Sequence, residues 1–86
     1  VTGSTTNINL IKSKWDDQNG KCALTCETLI PGTNASLDHI IPKSKGGTSA
    51  IDNLQWVLTS INSGKHDLTQ EEFIRLCRLV AKLNPL

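Results

Sequence analysis

The stretch spanning residues 37–65, LDHIIPKSKGGTSAIDNLQWVLTSINSGK, constrains this chain more than any other part of it. A strand is expected over residues 35–40. It carries Asp38-His39 near its end and stops before Pro42, which has no backbone N–H to give a ladder. Residues 43–52 read as a loop in which Gly46-Gly47 permits positive φ angles. A returning strand follows over residues 53–57, where Leu54 and Trp56 alternate against Gln55. Thr59 or Ser60 then caps a short helix bearing Asn62 and Lys65. Strand, loop, strand and helix in this order make a hairpin with a helix folded back on it.

The flanks supply helices. Ile8, Ile11 and Trp15 recur at helical spacing, with Asn7 as N-cap and Gly20 as the stop, so a packing helix is expected over residues 7–19. Thr69 followed by Glu72 is a capping-box signature. Phe73, Leu76, Cys77, Val80 and Leu83 then mark residues 70–83 as an amphipathic helix expected to close the core. Residues 1–6 (VTGSTT) read as a flexible N-terminal segment, and residues 7–86 as a single domain. With 86 residues and 37% hydrophobic composition the core is small, with Trp15 and Trp56 its large fillers.

The Asp38-His39, Pro42, Gly46-Gly47, Asn53-Leu54 and Asn62-to-Lys65 elements resemble the HNH endonuclease motif in type, order and spacing together. The three letters of that motif fall on His39, Asn53 and Asn62, which makes this the variant ending in Asn. The resemblance is densest over residues 20–65, where GKCALT, LDHI and LQWV are similar to a subset of phage and bacterial HNH proteins. It implies an α+β fold of the ββα-metal class: a β-hairpin, a short site helix and flanking packing helices. It also implies metal-dependent hydrolysis of DNA phosphodiesters, leaving 5′-phosphate and 3′-hydroxyl ends.

That reaction needs a base for water, a hold on the phosphate and a way to stabilise the leaving oxygen. A histidine near neutral pKa suits the first task, and a hard cation on oxygen ligands suits the others. By the resemblance, His39 is the general base, while Asp38 and Asn62 hold one divalent cation, Mg²⁺ or Mn²⁺. Asn53 ties the loop between the strands. Lys65 contacts the phosphate, and Lys43 and Lys45 join it in binding nucleic acid. One difficulty stands out: neighbours in an extended strand point to opposite faces. Asp38 and His39 can share a site only if the chain bends there or the site spans the hairpin.

Cys22, Cys26 and Cys77 cannot all pair internally, and they read as reduced thiols. A structural zinc needs four ligands. Where many HNH relatives carry a second cysteine pair, this chain has Leu58 and Ile61. These apolar side chains are expected to replace the zinc knuckle, structural zinc is not expected, and the cysteines read as small buried hydrophobes.

Net charge is +1, with nine basic and eight acidic residues, which neither marks nor rules out a nucleic-acid binder. Arginine reads guanine bidentately, and Arg75 and Arg78 are the only arginines. Weak sequence preference is therefore expected. DNA is the expected partner, with RNA left open. A single site cuts one strand, so a double-strand break calls for a homodimer or two nicks, and the chain is also compatible with being part of a larger polypeptide. His66 reads as a surface residue. No leader or long apolar run is present, so the expectation is a cytoplasmic protein with no membrane partner. The alternative class is a non-catalytic nucleic-acid-binding or auxiliary module that retains the scaffold.

Overall fold

A computed structural model describes residues 8–85, so the expectations for residues 1–6 and the capping by Asn7 lie outside the described residues. The elements run α1 (Ile8–Asp17), β1 (Ala35–His39), β2 (Leu54–Leu58), α2 (Thr59–Lys65) and α3 (Gln70–Leu83). The architecture is α+β. The strands form one antiparallel hairpin in which Ala35 faces Leu58, Asp38 faces Gln55 and His39 faces Leu54.

Helix α1 stops two residues earlier than expected. Asn19 and Gly20 both take positive φ, at 56° and 65°, and the Gly20 N–H bonds the Trp15 carbonyl at 3.1 Å. That left-handed exit closes the helix with the geometry glycine tolerates best. Gln18 then clamps the outer edge of β2. Its amide nitrogen donates to the Trp56 carbonyl and its amide oxygen accepts from the Trp56 N–H, both at 2.9 Å. One side chain thus substitutes for a neighbouring strand and satisfies an edge that would otherwise need water.

Residues 22–25, short and apolar enough for a strand, instead make a turn over residues 23–25. The only ladder contact of that region is the antiparallel bridge between Lys21 and Thr28. The turn holds Cys22 inside, 3% exposed, in a cluster with Leu29 and Val57. Leu58 and Ile61 pack against this cluster, as do Trp15 and Trp56. The two indoles meet edge to face at 5.2 Å, an arrangement that satisfies the ring quadrupoles. Of the three thiols only Cys22 is buried; Cys26, at φ 64°, and Cys77 are exposed, which corrects the reading of all three as buried hydrophobes.

Strand β2 departs from simple alternation. Leu54, Gln55 and Val57 are all buried, so Gln55 faces another layer and not solvent. Helix α2 begins directly at Thr59 with Leu58 at the N-cap and no side-chain cap. The expected cap is absent because the Thr59 hydroxyl is 2.8 Å from that of Ser36, across the hairpin.

Helix α3 starts as its sequence dictates. The Thr69 hydroxyl accepts from the Glu72 N–H, and the Glu72 carboxylate accepts from the Thr69 N–H. It does not close the core. None of its residues is buried, and Leu76, Leu79, Val80 and Leu83 are between 47% and 84% exposed. An amphipathic period fixes which face of a helix is apolar, but not what that face meets.

Candidate active site

The predicted site residues converge where β1 ends. The strand stops at His39, and the chain bends at Ile40 and Ile41 before the buried Pro42. Although both residues are still paired within β1, Asp38 and His39 line one cavity of about 260 Å³. Asn62 enters the same cavity from α2, and Lys43, His66 and Asp67 complete its rim. A larger apolar groove of about 550 Å³ beside α1 includes none of the predicted site residues.

The loop that follows the bend is tied by Asn53. Its amide oxygen accepts from the Ile41 N–H at 3.0 Å, and its amide nitrogen donates to the carbonyls of Ile41 and Thr48 at 3.0 and 2.7 Å. The Ile40 N–H bonds the Asn53 carbonyl as well. Both ends of the loop are thereby stitched to one residue at the head of β2. The two glycines of the loop serve different ends. Gly46 takes φ 90°, whereas Gly47 is needed for space: a Cβ there would lie 1.7 Å from the Ile41 carbonyl oxygen. Of the pair that permits positive φ, only Gly46 uses that freedom.

His39 is half-buried, and its Nε2 lies 3.2 Å from the Ser49 hydroxyl at the far side of the loop. This contact orients the imidazole from behind. Asp38 is 4% exposed, and each of its oxygens meets one donor: Lys65 Nζ at Oδ1 (3.1 Å) and Gln55 Nε2 at Oδ2 (2.9 Å).

Lys65 is fully buried. Besides Asp38, its ammonium donates to the carbonyls of His39, at 2.6 Å, and Ile40, at 3.3 Å. An ammonium has three N–H bonds to give, and all three are directed into the protein. The expected contact between Lys65 and a substrate phosphate is therefore corrected. Lys65 ties the Asp38 carboxylate to the end of β1 and to the first residue of the bend. Lys43 remains exposed on the cavity rim. Lys45 forms a surface ion pair with Glu72 at the start of α3.

Sequence reasoning missed Gln55 and Gln70. Gln55 donates to Gln70 Oε1 at 2.8 Å in addition to Asp38, and Gln70, the first residue of α3, donates its N–H to the Ile40 carbonyl at 3.2 Å. The antiparallel register offered the signal, since a hairpin that ends at His39 opposite Leu54 sets Gln55 across from Asp38. His66 is more than the plain surface residue its sequence suggests. It is exposed, but it stands on the cavity rim, with Nε2 at 3.5 Å from Asp67 Oδ2.

Two groups away from the cavity have shifted acidities. Burial pushes the Cys22 thiol up, but hydrogen bonds from the Thr25 hydroxyl and from the N–H groups of Leu58, Leu24 and Thr25 outweigh it. The net result lies below the ordinary thiol value. The Lys45 ammonium and the Thr69 N–H hold the Glu72 carboxyl below its usual range.

The donor set suits a hard divalent cation. Asp38, a carboxylate, and Asn62, an amide, both line the cavity, and oxygens of these two kinds are ligands such a cation takes. A carboxylate has about four lone-pair positions, and only one on each oxygen of Asp38 is engaged by protein. Among the described residues, no group of three or more His, Cys, Asp or Glu side chains is arranged to hold a metal ion alone.

A two-stranded antiparallel hairpin followed by a helix packed against both strands is a ββα arrangement. The family model for HNH endonuclease matches residues 22–77, well over half of the chain. The chain belongs to the HNH endonuclease family, whose members act on nucleic acids. No curated protein matches it. Among the described residues, no helix is long and apolar enough to cross a membrane.

Proposed function

We propose that this domain is a metal-dependent DNA endonuclease with a single active centre at the Asp38–His39–Asn62 cavity. The observation that carries this reading is the shared cavity itself, which sets a histidine beside two oxygen donors of the kind a hard cation takes.

His39 is the general base. Nε2 is engaged with the Ser49 hydroxyl at 3.2 Å, and in the tautomer whose Nε2–H donates to that hydroxyl the Nδ1 lone pair is the one that takes the proton of the attacking water. The water oxygen forms a bond to phosphorus, and the bond from phosphorus to the 3′-oxygen breaks. The departing 3′-oxygen takes a proton from solvent water, and the products carry 5′-phosphate and 3′-hydroxyl ends. Asp38 and Asn62 would hold one Mg²⁺ or Mn²⁺ ion, which when bound offsets phosphate charge and stabilises the departing oxygen. Asn53 is a positioning residue, acting through the loop that carries Ser49 to the His39 ring. Lys65 is likewise a positioning residue, acting through Asp38 and the strand-end carbonyls.

Lys43, on the cavity rim, and Lys45, nearby at the surface, are the cations available to the DNA backbone. One centre cuts one strand. The domain therefore nicks, and a double-strand break requires a second copy or a second nick. Conversion of supercoiled plasmid to the open circle, with Mg²⁺, Mn²⁺ or EDTA, tests the reading.

A further inference from the structure

We propose that Gln55 is a positioning residue for the cation site, holding the Asp38 carboxylate in a single orientation and tying it through Gln70 to the start of α3. The inference rests on the one-ion reading of the cavity.

The two amide hydrogens of Gln55 are both committed, one to Asp38 Oδ2 at 2.9 Å and one to Gln70 Oε1 at 2.8 Å. Both acceptors are oxygens, so the amide has only one sensible orientation. Flipped, its own oxygen would face the two of them. Gln55 is 6% exposed, and among the described residues no buried side-chain nitrogen or oxygen lacks a partner.

The consequence for Asp38 is geometric. The terminal torsion of an aspartate is soft, and one hydrogen bond leaves the carboxylate free to rock. Two donors on different oxygens, Lys65 on Oδ1 and Gln55 on Oδ2, fix its plane. The remaining lone pairs are then held in fixed directions relative to the Asn62 side of the cavity. Groups that orient a metal ligand from behind characteristically change metal affinity by about 10–100-fold when removed. Gln70 extends the brace. Its side chain holds Gln55 and its N–H holds the Ile40 carbonyl, so the first residue of α3 grips both β2 and the bend after β1.

The alternative is that Gln55 merely satisfies a buried carboxylate. The two roles separate in Mn²⁺ binding to the metal-free protein, followed by the paramagnetic resonance signal of free Mn²⁺, alongside thermal unfolding without metal. Gln55→Met keeps the volume and removes both donors. Expected is an Mn²⁺ dissociation constant about 10–100-fold higher than in the wild type, at temperatures where both proteins are folded. Gln70→Leu, which leaves the Gln55–Asp38 bond in place, should weaken binding by a smaller factor, and it serves as the readout if Gln55→Met does not fold. Unchanged Mn²⁺ affinity in the folded variants, with the wild type binding normally, would overturn the positioning role and leave the nuclease reading intact. A wild type that binds no Mn²⁺ would overturn the one-ion site, and this inference with it.

Discussion

Lys65 Nζ lies 3.1 Å from Asp38 Oδ1, and both side chains are withdrawn from solvent. The lysine at the end of α2 thus serves the architecture of the strand end, while Lys43 on the cavity rim stays exposed. Removing one partner of a buried ion pair strands the other charge at a cost of about 3–5 kcal/mol. Lys65→Met is accordingly expected to lose stability on that scale in urea unfolding. A lysine that met substrate phosphate would behave differently, leaving the unfolding curve in place and raising the substrate concentration needed for cleavage.

The Gly46-Gly47 pair separates into two effects. Gly47→Ala places a methyl group 1.7 Å from a backbone oxygen, so the loop must rebuild. Gly46→Ala meets no atom within 4 Å and carries only the strain of φ 90°, of order 1–3 kcal/mol. Unfolding midpoints should rank wild type above Gly46→Ala, and Gly46→Ala above Gly47→Ala. The reverse order for the two variants would mean that the loop conformation is not the one described.

Truncation costs should follow the hairpin core and not α3. Leu54 is 2% exposed, and Leu54→Ala is expected to cost about 2–5 kcal/mol. Leu83 is 84% exposed, and Leu83→Gln should stay within about 0.5 kcal/mol. Comparable losses at the two positions would show that the end of α3 is packed in solution.

The start of α3 should respond to acid. Glu72 has its carboxyl acidity strengthened chiefly by the Lys45 ammonium, so the folded state favours its ionised form. Its contribution is complete above the ordinary carboxyl value and is lost as pH falls through the depressed folded value. The Thr69 amide, which donates to Glu72, reports this directly. Its NMR shift should titrate with a midpoint below that of an ordinary glutamate, and Lys45→Ala should move the midpoint upward.

Much of this arrangement is written locally. Thr69 and Glu72 declare the start of α3, Pro42 declares the end of β1, and Asp38, His39 and Asn62 stand in an order that a hairpin and helix bring together. What could not be read depends on what lies behind each residue. A lysine is almost never fully buried, so nothing in the sequence around Lys65 announces three inward hydrogen bonds. Gln55 sits between Leu54 and Trp56, where strand alternation suggests solvent. The register opposite Asp38 and the approach of Gln70 make it an interior donor. The apolar stripe of α3 is legible as a stripe, but periodicity carries no information about the surface it meets.

The central claim is that His39 activates water in a metal-dependent cut, and supercoiled-plasmid nicking by wild type and His39→Ala tests it most directly. Nicking by the wild type with Mg²⁺ or Mn²⁺, abolished by EDTA and slowed about 10²–10⁴-fold in His39→Ala, is the expected result. Equal cleavage by both proteins would contradict the assignment of His39. No cleavage by a folded, metal-supplied wild type would contradict the nuclease itself and leave a nucleic-acid-binding module on the same scaffold.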